Sequence, residues 1–361
     1  MKKHLNSAKS IRYRIRHSRK QEEQTYRFKM YQKRKNRYNN SNPYKSDIMP
    51  NVEVKKHHKD ALTVPSNFSL TENPEGVIKF MNHLNKLCMK KKSVFIDLKG
   101  VKNLGYETIV VLLSTIIKFK NKRIKFNGNY PDDMISRERL IKSKFFDVLF
   151  NNEDNTNINI NNLSGNGIYT HAEKNVNSQL SSKLIANASK SIWGEERLCK
   201  GVQRALIELM TNTNNHAGKI EGEKKWWVSV NCIEDEKKVV FSFVDFGKGI
   251  FNSLMEGKGR VVKWLPWYKK IIEEHDKTEV MQMILKGSMH KTVTGESHRG
   301  KGLPGIYESY KMNYFSKLYI ISNDIFVDAG NDIYRKMNVT LNGTFVWWEL
   351  SGVNKSIAVI D

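Results

Sequence analysis

The sequence predicts an α/β protein built from more than one unit, and three observations carry that expectation. Short apolar, strand-like runs alternate with stretches of helical period over residues 61–150. A second series of such runs fills residues 166–361, beyond an Asn-rich connector at 151–165. Between Glu208 and Gly305 stand three polar clusters, two of them glycine-rich, in the order polar helix, strand end, long gap and loop entering another helix.

The chain begins with a basic arm. Of the formal net charge of +24, half lies in residues 1–40, where 14 Lys and Arg stand against Glu22 and Glu23. Tyr13, Tyr26, Phe28, Tyr31 and Tyr38 are interleaved with these cations, a pattern suited to neutralising phosphates and stacking on bases. Nucleic acid or another polyanion is one partner for residues 1–40; a solvated polycationic arm is the other reading. Residues 39–60, rich in Asn, Ser, Pro and Lys, read as a linker. No run of about 18 apolar residues occurs, so membrane insertion is not expected. The start lacks an apolar signal core, and Cys88, Cys199 and Cys232 are scattered without metal or disulfide spacing. A cytoplasmic setting with reduced thiols is the expectation.

From Ala61 the elements follow in order. Leu62–Val64 reads as a strand, and Pro74–Cys88 carries Val77, Phe80, Met81, Leu84 and Cys88 at helical spacing. After the basic break Lys90–Lys92, Val94–Leu98 is a buried strand, Lys99–Val101 a turn and Tyr106–Phe119 an apolar helix. Arg123–Asn127 is read as a strand and Ser136–Phe146 as a helix. The run Phe95-Ile-Asp97-Leu98-Lys-Gly100-Val101-Lys-Asn-Leu104, followed by an apolar helix, resembles a STAS domain, the anti-sigma-antagonist fold. The resemblance covers residues 61–150 and implies a docking or scaffold role. Where phosphorylatable members carry Ser or Thr, this chain reads Gly105-Tyr106-Glu107, with Thr108 the nearest hydroxyl.

In the second series, Ile168–His171 reads as an edge strand, and Asn177–Ile192 and Glu195–Asn215 as helices. Lys224–Asn231 and Lys237–Val244 form a hairpin, in which Trp226 and Trp227 face opposite sides. Leu303–Tyr314 is helix-like, and Leu318–Ile321, Ile333–Met337 and Thr344–Leu350 are expected to add three strands to a mixed sheet.

The three clusters carry the chemistry. Glu208, Asn212 and His216 are spaced i, i+4, i+8, so they share one helical stripe. Asp245 ends the run Val239–Val244, and Gly247 and Gly249 follow, which lets backbone approach a flat ligand closely. In His298-Arg299-Gly300-Lys301-Gly302-Leu303-Pro-Gly305, glycine amides lead into a helix and make a phosphate cradle.

In this order the clusters resemble the N, G1 and G2 boxes of the GHKL ATPases, the family of gyrase B, heat-shock 90 chaperones, histidine kinases and MutL. The resemblance covers about residues 177–350. It implies a Bergerat α/β sandwich over 166–361 that binds ATP and Mg²⁺ beneath a lid, here Gly287–Gly300. By that resemblance Asp245 accepts the adenine amino proton beside Gly247 and Gly249, and Asn212 supplies an oxygen to Mg²⁺. Glu208 acts as general base or merely helps hold the metal. His216 reaches the phosphates or caps its helix. Gly300, Gly302 and Gly305 free amides for the phosphates, and Arg299 and Lys301 supply charge there or stand as solvated lid residues.

Three functions follow from these expectations. The first is a slow Mg²⁺-dependent ATPase acting as a regulatory switch, with a protein partner or a homodimer through the ATPase or STAS-like part. The second is a serine/threonine kinase of the anti-sigma type. The third is a polyanion-binding adaptor that uses ATP structurally. A sensor histidine kinase is disfavoured, since no His-Glu or His-Asp pair precedes Glu208 and His275-Asp276 falls after the second cluster.

Overall fold

A computed structural model describes residues 61–150, 167–171, 178–216, 226–256, 270–271, 273–288 and 302–358. The basic arm, the Asn-rich connector and most of the expected lid lie outside these residues. The described part is a mixed α/β structure with both parallel and antiparallel sheets.

Its centre is a five-stranded sheet in the order β10-β11-β9-β8-β6, comprising β6 (Gly167–His171), β8 (Trp226–Ile233), β9 (Lys238–Asp245), β10 (Ser316–Asp328) and β11 (Ile333–Ser351). Every pairing within it is antiparallel. The expected mixed sheet is thus corrected, because β8–β9 and β10–β11 are hairpins laid side by side and hairpins reverse direction by construction. The three expected strands at the C-terminal end are also corrected to two. Ile333–Met337 and Thr344–Leu350 belong to one 19-residue strand, with irregular pairing around Asn323 taking up the break between them.

Both faces of this sheet are apolar. Trp226, Val228, Phe241, Phe243, Val346 and Trp348 pack into one core, and Trp227, Val240, Val244, Phe345 and Trp347 into another. The alternation is that of a pleated strand, and with both sides buried it reads in sequence as an uninterrupted apolar run. Trp226 and Trp227 face opposite sides as expected, and both are buried.

The first face is covered by α5 (Ser178–Trp193), α6 (Lys200–His216), α7 (Gly249–Glu256), α8 (Lys277–Leu285) and α9 (Gly302–Lys311). Helices α7 and α8 occupy a stretch in which the sequence showed no element. The short β7 (Arg197–Leu198) pairs with β12 (Ile357–Ala358).

The second face is covered by residues 61–150. Here β1 (Ala61–Thr63), β3 (Val94–Asp97) and β5 (Phe126–Gly128) form a parallel sheet, and β2 (Asn67–Phe68) pairs parallel with β4 (Asn103–Leu104). Helix α1 (Pro74–Met89) starts at Asn73, whose side chain accepts the Gly76 N–H at 3.2 Å, with Pro74 in the first turn. Helix α2 (Tyr106–Asn121) is buried almost continuously from Glu107 to Ile116. A helix apolar all round needs neighbours on every side, and α2 has them, since it packs against α1, β5, β8 and β9.

Three boundaries differ from expectation, the first being that α6 begins at Lys200, after the short β7, where a helix was expected from Glu195. Arg123 takes φ +56° and ends the turn after α2, so β5 starts at Phe126. The helix expected over Ser136–Phe146 is broken into α3 (Met134–Lys142) and α4 (Phe145–Phe150). Ser143 Oγ donates to Leu140 O at 2.7 Å and Lys144 adopts φ +62°, which closes α3 and redirects the chain.

A fragment of residues 166–361 therefore leaves Trp227, Val240, Val244, Phe345 and Trp347 uncovered. Expressed alone it should aggregate or bind a hydrophobic dye strongly, and co-expression with residues 58–150 should restore a soluble complex. A soluble, dye-silent fragment would refute the two-sided packing.

Candidate functional site

Helix α6 buries Val202, Ala205, Leu206, Leu209 and Met210 against the sheet. This turns Arg204, Glu208 and Asn212 onto its other side, where all three are half-buried. Among the described residues the Glu208 carboxylate and the Asn212 amide have no hydrogen-bond or ion-pair partner. Helix α9 lies along this stripe. A Cβ on Gly302 would stand 2.8 Å from Asn212 Nδ2, and one on Gly305 would stand 2.6 Å from Arg204 Nη2. Arg204 Nη1 also pairs with Glu308 Oε2 at 3.1 Å. The first and third clusters, about ninety residues apart in sequence, thus meet across one helix pair.

Gly302 opens α9, so its amide belongs to the first turn, where N–H groups lack helical partners. Gly305 has a different place. It is buried, with Arg204 laid against its Cα, so its missing side chain permits helix–helix packing. Of His216, the last residue of α6, only the backbone is described. Arg299, Gly300 and Lys301 lie outside the described residues, as does most of the expected lid.

The second cluster forms a pinned turn. Asp245 ends β9, opposite Trp226 of β8 and Thr344 of β11, and its Oδ1 accepts the Gly247 N–H at 2.8 Å. Gly249 starts α7 at φ +74°, a conformation open to glycine. The irregular stretch of β10 turns Ser322 and Asn323 toward this point. Ser322 Oγ accepts the Ile250 N–H at 2.9 Å, Asn323 Oδ1 accepts the Phe251 N–H at 3.2 Å, and Asn323 Nδ2 donates to Lys248 O at 2.9 Å. Two amides at the start of α7 are thereby satisfied internally. Gly343 approaches from β11 at φ +132°, and a Cβ there would collide with the Asp245 carbonyl oxygen. On the far side of the turn, Lys118 Nζ of α2 sits 4.3 Å above the Phe246 ring.

Asp245 is partly exposed by surface area, yet it lies in a recess crowded enough that burial pushes its carboxyl up to about 6, against weaker opposing hydrogen bonds from Gly247 and Thr344. Such a carboxylate, short of compensating charge, is stabilised by an incoming N–H donor. Among the described residues no group of three or more His, Cys, Asp or Glu is arranged to hold a metal.

Sequence reading missed Arg204, Ser322, Asn323, Gly343 and Lys118. Arg204 could have been found, since it extends the Glu208–Asn212 stripe by one step of four. The others act across long sequence separations and left no local pattern. Searches for similar proteins found no matching family model, no matching curated protein and no matching solved structure.

Two outcomes are expected. Asp245→Asn should raise the melting temperature at pH 7.5 by roughly 2–4 °C and lose that advantage near pH 4. The folded carboxyl titrates above its unfolded value, so its ionisation costs stability as pH rises through about 6. Gly343→Ala should destabilise the fold by about 2–4 kcal/mol in urea titration, because the new methyl meets backbone and the φ is unfavourable.

Proposed function

We propose that the protein is an ATP-binding regulatory switch of the GHKL type, with slow Mg²⁺-dependent hydrolysis. The observation that carries this reading is the juxtaposition of Asn212 with Gly302, which joins a half-buried amide without a described partner to the first turn of a helix. Asn212 would present a hard oxygen to Mg²⁺, and the start of α9 would face the phosphates with N–H groups and the positive end of its dipole. Bound Mg²⁺ would offset phosphate charge. Glu208, one turn back on the same stripe, would orient and deprotonate water. Asp245, a carboxylate short of compensating charge, would suit the adenine amino group.

The kinase alternative gains little within the chain itself. Thr108 is fully buried, and its Oγ1 accepts the Leu70 N–H at 3.1 Å. Glu107 beside it is also buried, accepting Ser69 Oγ–H at 2.7 Å and the Leu70 N–H at 3.1 Å. Thr108, the nearest hydroxyl, is thus not an accessible acceptor for phosphate.

The test is calorimetric binding of a non-hydrolysable ATP analogue with and without Mg²⁺, beside turnover of γ-labelled ATP. Asn212→Ala should abolish the Mg²⁺-dependent part of binding, weakening affinity tenfold or more by order-of-magnitude expectation. Glu208→Ala should keep binding and lower phosphate release by about 10²-fold or more. Wild-type affinity should fall as pH drops below about 6, where Asp245 takes a proton and ceases to be a pure acceptor. Absence of nucleotide binding in the wild type would sink the reading.

A further inference from the structure

The three parallel strands of the 61–150 layer begin at one edge, because Ala61 pairs with Phe95 and Phe95 with Asn127. Each strand is preceded in sequence by a cationic run: Lys55-Lys-His-His-Lys59, Lys90-Lys-Lys92 and Lys122-Arg-Ile-Lys125. The second and third runs are described. Both wrap the C-terminal end of a helix through one arrangement. Lys91 N–H donates to Cys88 O and Lys92 N–H to Leu87 O at 3.0 Å, while Arg123 N–H donates to Lys120 O and Ile124 N–H to Phe119 O at 2.9 Å. Lys91 and Arg123 occupy matching positions with φ +52° and +56°. The Val94 N–H donates to Lys125 O at 3.3 Å, which sets the two turns on adjacent strands, about 5 Å apart.

Lys90, Lys91, Lys92, Lys122, Arg123 and Lys125 are all exposed. Among the described residues none of them has a carboxylate in ion-pair range, although Lys142, Lys144, Lys238, Lys270 and Lys277 elsewhere all do. Two helix C-termini draw cations to this edge through their dipoles, which accounts for one or two charges at each. It does not account for six on adjoining turns with no acid between them.

We propose that this edge is a binding surface for the phosphodiester backbone of a nucleic acid, read without base specificity. Six long, flexible cations on neighbouring turns suit a row of phosphates. The only large exposed apolar residue in either described turn is Met89, too little for insertion into a bilayer, and no aromatic side chain stands in either turn to stack on a base. The proposal is independent of nucleotide binding at Asn212 and Asp245.

The test uses the full chain and fluorescence anisotropy with a labelled 30-nucleotide single strand and a 30-base-pair duplex across a KCl series. Lys91→Gln/Lys122→Gln/Lys125→Gln is compared with Lys102→Gln/Lys336→Gln/Lys355→Gln, three exposed lysines elsewhere that remove the same net charge. The first variant should weaken binding by about tenfold or more and lower the slope of log affinity against log salt by about 2. The second should change both little. Circular dichroism melts check that both fold. Equal effects of the two variants would mean a net-charge effect and overturn the proposal. So would a loss confined to vesicles of phosphatidylserine and phosphatidylcholine with nucleic-acid binding intact.

Discussion

The structure depends on a sheet that cannot face water on either side. Trp226, Phe241 and Trp348 on one face and Trp227, Phe345 and Trp347 on the other belong to the same three strands. Each large aromatic side chain stabilises the fold by roughly 1.5–3 kcal/mol when fully buried, and leaving either face bare would forfeit several such contributions together. A helical layer and an α/β layer are therefore both required. Helix α2, buried around nearly its whole circumference, is the consequence, because it fills the space between the antiparallel sheet and the small parallel one.

This double covering also locates the candidate site. Helix α6 is fixed to the sheet by its apolar stripe, and that alone determines where Arg204, Glu208 and Asn212 emerge. Helix α9 can lie close only because Gly302 and Gly305 have no side chains to strike Asn212 and Arg204. The Asp245 turn is held separately, by Asn323 and Ser322 from β10 and by the close approach of Gly343 from β11. The α6–α9 pair and the Asp245 turn are thus each fixed to the same sheet through their own contacts.

Much of this was legible in sequence where the physics is local. The opposed faces of Trp226 and Trp227 follow from a two-residue period, the stripe on α6 from a four-residue one, and the glycine at φ +74° from its place after a strand end. What was not legible is long-range. Ile333–Met337 and Thr344–Leu350 read as two separate strands, yet pairing with β10 and β9 joins them into one. The antiparallel order was hidden for a related reason: parallel and antiparallel strands buried on both faces have the same apolar pattern. The roles of Asn323 and Gly343 are visible only once β10 and β11 are laid beside the Asp245 turn.

The α/β layer does more than shield the sheet, because it touches the site turn itself. Phe246, between Asp245 and Gly247, is partly buried against the core of residues 61–150, and Lys118 of α2 stands over its ring. Burial lowers the Lys118 pKa, so this ammonium is held where solvation is poor and the ring face partly compensates it. Phe246 thus fixes the turn after Asp245 against the 61–150 layer through both that contact and its packing on the core. Helix α2 in turn ends at Asn121, beside the cationic edge. The site turn and the basic edge therefore both border one helix, buried between the antiparallel sheet and the parallel one.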